Sequence, residues 1–443
     1  MMNDSIEAGK SRRDFVKQSG LLAGGILAAP LLSNANYFSG AADTIKIALV
    51  GCGGRGTGAA IQALLTKQNV KLVAMADAFR DNLDNSLKSI MGEAAENPEI
   101  GKKIDVPEDR KFSGFDAYQK AIPLADVVIL ATPPGFRPIH FEEAIKQNKH
   151  VFMEKPVAVD PAGVQKVLAA AEIAKQKKLN VVVGLQRHYQ NSYRELYKRK
   201  NLIGDITSAQ AWWNNDGVWV RERKPGQTEM EYQMRNWYYF NWLCGDHINE
   251  QHIHNIDVIN WFKGGYPVKA QGMGGRQVRN GKDHGEIFDH HFVEFTYADG
   301  SILNSQCRHI PGTMARVDEL LVGTKGSIAC GAGTITDRNG KQLYKFDNTK
   351  ENNPYQTEHD ELFEAIAKGQ YKFADAENGA KSSMTSILGR MATYSGQIIE
   401  WDKAINSGLN IMPKEFSFTA LPSIVPNADG FYPIAIPGKT KYV

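Results

Sequence analysis

The apolar positions of this chain change rhythm twice. Residues 45–51 read IKIALVG, a continuous apolar run of the kind that predicts a strand buried on both faces. Apolar residues then recur at helical spacing from Ala59 to Leu65, and a second run, KLVAMAD, ends at Asp77. The alternation continues with ADVVILAT (125–132), a helix from about Pro138 to Gln147, HVFMEKP (150–156), a helix over about 161–177, and NVVVGLQR. Strands separated by helices predict parallel βαβ units in a doubly wound sheet, an α/β arrangement. Beyond about Gly204 the pattern becomes alternating and aromatic-rich: ITSAQAWWNND, VKAQGMGG, HFVEFTYADGSILNSQ, VDELLVGTKGSIACG. This predicts an α+β region with a mostly antiparallel sheet and a hairpin at Asp299-Gly300.

The expected boundaries are a leader and linker over 1–42, a nucleotide-binding domain over 43–185, a substrate and oligomerisation domain over 186–421, and a proline-rich arm over 422–443. A chain of 443 residues is long enough for two cores. The net charge of +3 and the lack of a basic tract argue against a nucleic-acid partner. Cys52, Cys244, Cys307 and Cys330 form no C-x-x-C pair and are expected as buried free thiols. Arg12-Arg13 in SRRDFVK, a short apolar run from Leu21 to Leu32 and the small residues after it resemble a twin-arginine export signal, so a periplasmic or otherwise exported protein is expected. That run is too short to span a bilayer, so no membrane insertion is expected.

The chemistry begins where the first strand ends, at Gly51-Cys52-Gly53-Gly54-Arg55-Gly56. A G-x-G-x-x-G between a strand and a helix is the dinucleotide-binding context: a tight turn, close backbone approach to a pyrophosphate, and a helix N-terminus aimed at the phosphates. This makes the first domain a Rossmann domain. Asp77, at the next strand end, is placed to accept the adenosine ribose hydroxyls and would repel a 2′-phosphate, which favours NAD over NADP. In such sheets ligands collect beyond the carboxyl ends of the strands, where Thr132, Glu154, Lys155, Gln186, Arg187 and His188 fall. Further on, Glu250, His254 and Asp257 share helical spacing within EQHIHNID, as expected for a base with carboxylate neighbours. Five of the seven tryptophans lie in the segment before it, among them Trp237. Together with Asp246 and His247, that segment is expected at a carbohydrate substrate, whose ring faces are apolar and whose edges are hydroxyls. A metal reading of His247, Glu250, Gln251 and His254 lacks an H-E-x-x-H motif, and no metal is expected. His290 and His291 are expected to be structural.

The glycine loop, the A-T-P strand end, Glu154-Lys155-Pro156, GLQRHY (184–189), EQHIHNID (250–257) and MTSILGRMATYSG (384–396) together resemble the Gfo/Idh/MocA oxidoreductases. That family includes inositol dehydrogenases and glucose–fructose oxidoreductase, and MTSILGRMATYSG looks like a subgroup of exported, bacterial members. The resemblance implies hydride transfer between a nicotinamide cofactor and a secondary alcohol of a sugar, glycoside or cyclitol, usually in a homo-oligomer. It places Lys155 at the substrate hydroxyl and His254 as acid/base. Glu250 stands where the family pattern has Asp, and His252 where it has Gly. An NAD-dependent glycosidase or a non-catalytic carbohydrate binder are the alternatives; the Y-P-T-H-G-L-G-P-like segment of the former is absent. Export and resemblance together imply a tightly bound cofactor.

Overall fold

The computed structural model describes residues 43–442; the twin-arginine segment lies outside the described residues. Strands β1 (Ile45–Val50), β2 (Val70–Asp77), β3 (Lys111–Ser113), β4 (Val127–Leu130), β5 (His150–Met153) and β6 (Val181–Val183) form one sheet in the order β3-β2-β1-β4-β5-β6. Every pairing is parallel. β4 and β5 are buried at every position because helices cover both faces. Gly54–Leu65 and Arg80–Glu96 share one core with one face, and Arg137–Lys146 and Pro161–Gln176 share a second core with the other. The order reverses direction between β1 and β4, so the carboxyl ends of those two strands open a crevice. β3 has no apolar rhythm to announce it: KFS is three residues, partly exposed, at the sheet edge.

The second sheet has nine strands: β7 (Ile206–Asn215), β8 (Lys269–Gly275), β9 (His290–Thr296), β10 (Ile302–His309), β11 (Arg316–Gly323), β12 (Gly326–Ala329), β13 (Thr334–Asp337), β14 (Gln342–Lys345) and β15 (Ile399–Glu400). Their order is β14-β13-β12-β11-β7-β10-β9-β8-β15, antiparallel except where β10 runs parallel to β7. The helix Ala376–Ser395 joins the two sheets. It is buried along nearly its whole length, its Ser383 Oγ accepts from Val157 N at 3.1 Å, and its Arg390 donates to the Val159 carbonyl at 2.7 Å.

The stretch whose helical spacing joins Glu250, His254 and Asp257 is two pieces, His247–Glu250 and Ile253–Lys263, separated at Gln251-His252. The amide of His252 reaches back five residues to the His247 carbonyl (3.1 Å), which widens the turn there. From Asn406 onward the described chain carries no helix or strand. It lies along the protein's own surface, with Phe416 and Phe418 packed on Phe79, Phe115 and Phe136.

Candidate active site

The glycine loop leaves β1 at Gly51, whose φ of +99° belongs to the left-handed region and whose Cβ, if present, would lie 2.4 Å from the Thr132 amide. At Gly56 a Cβ would lie 1.9 Å from the Gly51 carbonyl, so only hydrogen lets the helix close on the strand. A Cβ at Gly53 or Gly54 would meet nothing within 4 Å. Those two glycines face open space, and the cleft they border encloses about 530 Å³. Bare backbone, a helix start and this volume fit the pyrophosphate of a dinucleotide. The cleft is also lined by Gly51, Arg55, Asp77, Thr132, Glu154 and Lys155.

Asp77 has work inside the protein as well. Its carboxylate accepts from Cys52 N (2.7 Å), Phe79 N (2.9 Å) and Asn82 Nδ2 (3.2 Å), tying the glycine turn to the second strand end. Burial raises its pKa, and those bonds oppose the shift. Arg55 is similarly occupied. Its Nε donates to Glu154 Oε1 (2.5 Å), Nη1 to Gln62 Oε1 (3.1 Å), and Nη2 lies 3.5 Å from the fully buried Glu358. Its side chain therefore clamps the glycine loop to the β5 end. Burial beside Glu154 holds the Glu358 carboxyl well above the carboxylate range. Glu358 carried no sequence signal: one acid among several on an amphipathic helix (Pro354–Ala367) becomes special only through what that helix packs against.

At the other end of the cleft, Lys155 Nζ donates to the Glu250 carbonyl (2.5 Å) and to Glu250 Oε1 (3.2 Å). Burial raises the Glu250 pKa, opposed by Lys155. His254 lines the cleft beside them; its ring stacks on Trp213 at 5.9 Å, and its Nδ1 is buried without a partner. Burial, then the charges of Lys155, Arg187 and Arg55, push His254 well below its ordinary value, so the ring is neutral at physiological pH. Gln251 and the tryptophans Trp213, Trp219 and Trp237 complete this wall. The arrangement is a neutral imidazole and an ammonium, held by one carboxylate, at the far end of a dinucleotide cleft.

Several expected contacts lie elsewhere. Gln186, Arg187, His188, Asp246, His247 and Asp257 are not among the residues lining this cleft. β6 ends at Val183 and the chain turns away through Gln186–Tyr189, so Arg187 settles over the Tyr193 ring and bonds Gln190. Arg187 influences His254 by charge alone. Asp257, one turn beyond His254, is buried against His188 Nε2 (2.7 Å), Asn378 and Ser382. It is a packing carboxylate, and despite the cost of burial it holds the His188 pKa above its ordinary value.

The residues considered for a metal separate as well. Glu250, Gln251 and His254 face the cleft, whereas Asp246 and His247 meet His291 beneath it, one donor atom of each within 4.8 Å of the others. The Asp246 carboxylate already accepts from His247 N and Nδ1, Phe288 N and the Tyr394 hydroxyl, with His291 Nε2 at 3.2 Å. That many donors leave no lone pair to face an ion, so the group is a buried anion held by its histidines. His290 bonds Asp289 at the surface side.

Residues 45–185 match the family model described as "Oxidoreductase family, NAD-binding Rossmann fold". An inositol 2-dehydrogenase of Rhizobium meliloti (strain 1021) is 22% identical over 290 residues, 65% of this chain and 75% of that protein. The 2,7-anhydro-N-acetylneuraminate hydratase of Escherichia coli (strain K12) is 25% identical over 222 residues, 49% of this chain and 54% of that protein. The chain spans about half the length of the first curated relatives it matches. Among solved structures, scyllo-inositol dehydrogenase from Lactobacillus casei, with bound NAD(H) and scyllo-inositol, superposes with a TM-score of 0.60 at 20% identity. The match covers 81% of this chain and 100% of that one, and it shows a shared fold.

Proposed function

We propose that this chain, whose residues 45–185 carry the Rossmann domain of the Gfo/Idh/MocA oxidoreductase family, oxidises a secondary alcohol of a sugar, glycoside or cyclitol with NAD. The observation that carries the reading is the meeting of Lys155, Glu250 and His254 at the end of the glycine-loop cleft. Bound NAD would supply the hydride acceptor, seated by Gly51, Gly53, Gly54, Gly56 and Asp77. Neutral His254 takes the hydroxyl proton onto its ring nitrogen as the carbinol loses hydride. The Lys155 ammonium, held by Glu250, donates to the oxygen as negative charge develops on it. Trp213, Trp219 and Trp237 offer apolar faces to a carbohydrate ring and keep water from the reacting end. The inositol dehydrogenases among the relatives support this substrate class.

The cofactor is retained through turnover, and the enzyme is exported folded with it. Supporting this are the arginine pair in the leader and the wall around the adenosine end of the cleft. There Arg235 lies 3.6 Å over the Phe79 ring while pairing with Asp81, and Phe416 and Phe418 back Phe79 and Phe115. A second copy of the chain is the expected partner of the outer face of the nine-stranded sheet. On that face Met273 and Phe292 sit side by side in register, 71% and 37% exposed.

The test is purification without added nucleotide, denaturation, and assay of the supernatant for NAD(H), followed by incubation of the native protein with sugars and glycosides. About one equivalent of NAD(H) per chain and an absorbance change of the nicotinamide are expected. Release of aglycone would replace this reading with a glycosidase, and neither signal would leave a binder. An empty protein working only with freely exchanging NAD would refute retention alone.

A further inference from the structure

The orientation of Gln251 can be settled from its neighbours. Its Oε1 lies 2.7 Å from Nε2 of His309, and Nδ1 of the same ring lies 2.5 Å from Nη2 of Arg279. A guanidinium has only donors, so His309 Nδ1 must present its lone pair to Arg279. Burial, then the neighbouring His247 and Arg279, keep the His309 ring neutral, so its single proton sits on Nε2. That proton is donated to Gln251, which fixes the amide with its oxygen inward and its NH2 toward the cleft. Arg279 cannot drift from this role. It is buried, its Nη1 donates to the Phe288 carbonyl (2.5 Å), and its amide donates to Asp289 (3.1 Å). The Trp213 indole Nε1 on the same wall is buried out of reach of the cleft, on the ring that stacks on His254.

We propose that Gln251 is a specificity-determining residue whose amide NH2, set by the Arg279–His309 relay, grips an acceptor oxygen of the substrate beside the carbon being oxidised. The role rests on the oxidoreductase reading above. Gln251 is a neutral donor next to the base, so it selects a polyhydroxylated substrate carrying a hydroxyl or acetal oxygen adjacent to the reacting carbinol. An analogue lacking that oxygen leaves the Gln251 amide unpaired, which is how such sites discriminate. His309 and Arg279 are positioning residues: they act through Gln251.

The relay is tested first in the wild-type holoenzyme, by the ¹³C and ¹⁵N shifts of the His309 ring, assigned with His309→Gln. A proton on Nε2 at pH 7 is expected; a proton on Nδ1 or a charged ring overturns the proposal. Gln251→Met then keeps the volume and removes the amide. With NAD and either myo-inositol or D-glucose, the sugar KM should rise about tenfold, the size expected for one lost neutral hydrogen bond, and the NAD KM should stay within about twofold. The monodeoxy analogue missing the gripped oxygen should not feel the substitution. Equal penalties across all analogues, or an unchanged sugar KM, remove the proposal and leave the oxidoreductase reading standing. A wild-type enzyme that oxidises none of these compounds removes both.

Discussion

His254→Ala removes the ring that stacks on the Trp213 indole and lines the cleft with Lys155. The lost function is proton acceptance. A positioned general base contributes about 10²–10⁴ in rate, which is about 3–5 kcal/mol of barrier. Water is a poor substitute here, because the ring is 6% exposed and its Nδ1 is sealed from solvent. Both kcat and kcat/KM should therefore fall at least about a hundredfold, with NAD affinity largely intact. The pH profile carries a second signature. Only the neutral ring accepts a proton, and burial with Lys155, Arg187 and Arg55 holds His254 well below its ordinary 6.5. The acid limb of kcat/KM should then lie well below pH 6.5, with a level profile from about 6.5 to 8, and alanine should abolish that limb. His252→Ala is the control. His252 bonds Ser305 Oγ at 2.7 Å away from the cleft, so its loss should lower Tm with far less effect on kcat. Initial rates across pH, with cofactor titration by fluorescence, make the measurement. Turnover of His254→Ala within about tenfold of wild type, or an acid limb near pH 7, would refute the reasoning.

Lys155→Met should also cost at least about a hundredfold in kcat while sparing NAD binding, since it removes the donor to the developing oxyanion; near-wild-type rates would count against it. Asp77→Ala should weaken NAD binding, narrow any preference over NADP and lower Tm, because Cys52 N and Phe79 N lose their acceptor at about 1–3 kcal/mol each; titrating both cofactors and a melt read this out. Gly56→Ala should abolish cofactor binding, its methyl forcing the Gly51 carbonyl from 1.9 Å, and an unchanged NAD affinity would be incompatible with that packing. Glu319, buried against Tyr193 and Asn255, is pushed from 4.5 up to about 7 chiefly by burial. An acid with a raised folded pKa stabilises below its unfolded value and loses that contribution as pH rises through about 7. Glu319→Gln should therefore flatten the fall in stability between about pH 4.5 and 7, a window worth roughly 3 kcal/mol, as measured by denaturant midpoints.

What the sequence alone determined is what short-range periodicity and backbone sterics encode. Continuous apolar runs mark β1, β2, β4 and β5 because each is covered on both faces, and the glycines mark a turn no other residue can make. Alternation marks the β9–β10 hairpin, whose antiparallel ladder runs from His290 opposite Arg308 to Thr296 opposite Ile302. Lys155 and His254 were legible because a strand end and a helical spacing give them position as well as type. Tertiary structure decided everything that depends on the angle at which segments meet. The widened turn at Gln251-His252 parts the helix, so Glu250 and His254 face the cleft while Asp257, of the same spacing, is carried inward to His188. The turn after β6 takes Gln186, Arg187 and His188 out of the site, although the strand pointed toward it. Asp246, His247 and His291 form a buried anion site across elements 45 residues apart, and Arg55 meets Glu358 from the far end of the chain. Local pattern sets which face of an element is apolar; the packing of distant elements, which no local window contains, sets what each polar group on it will meet.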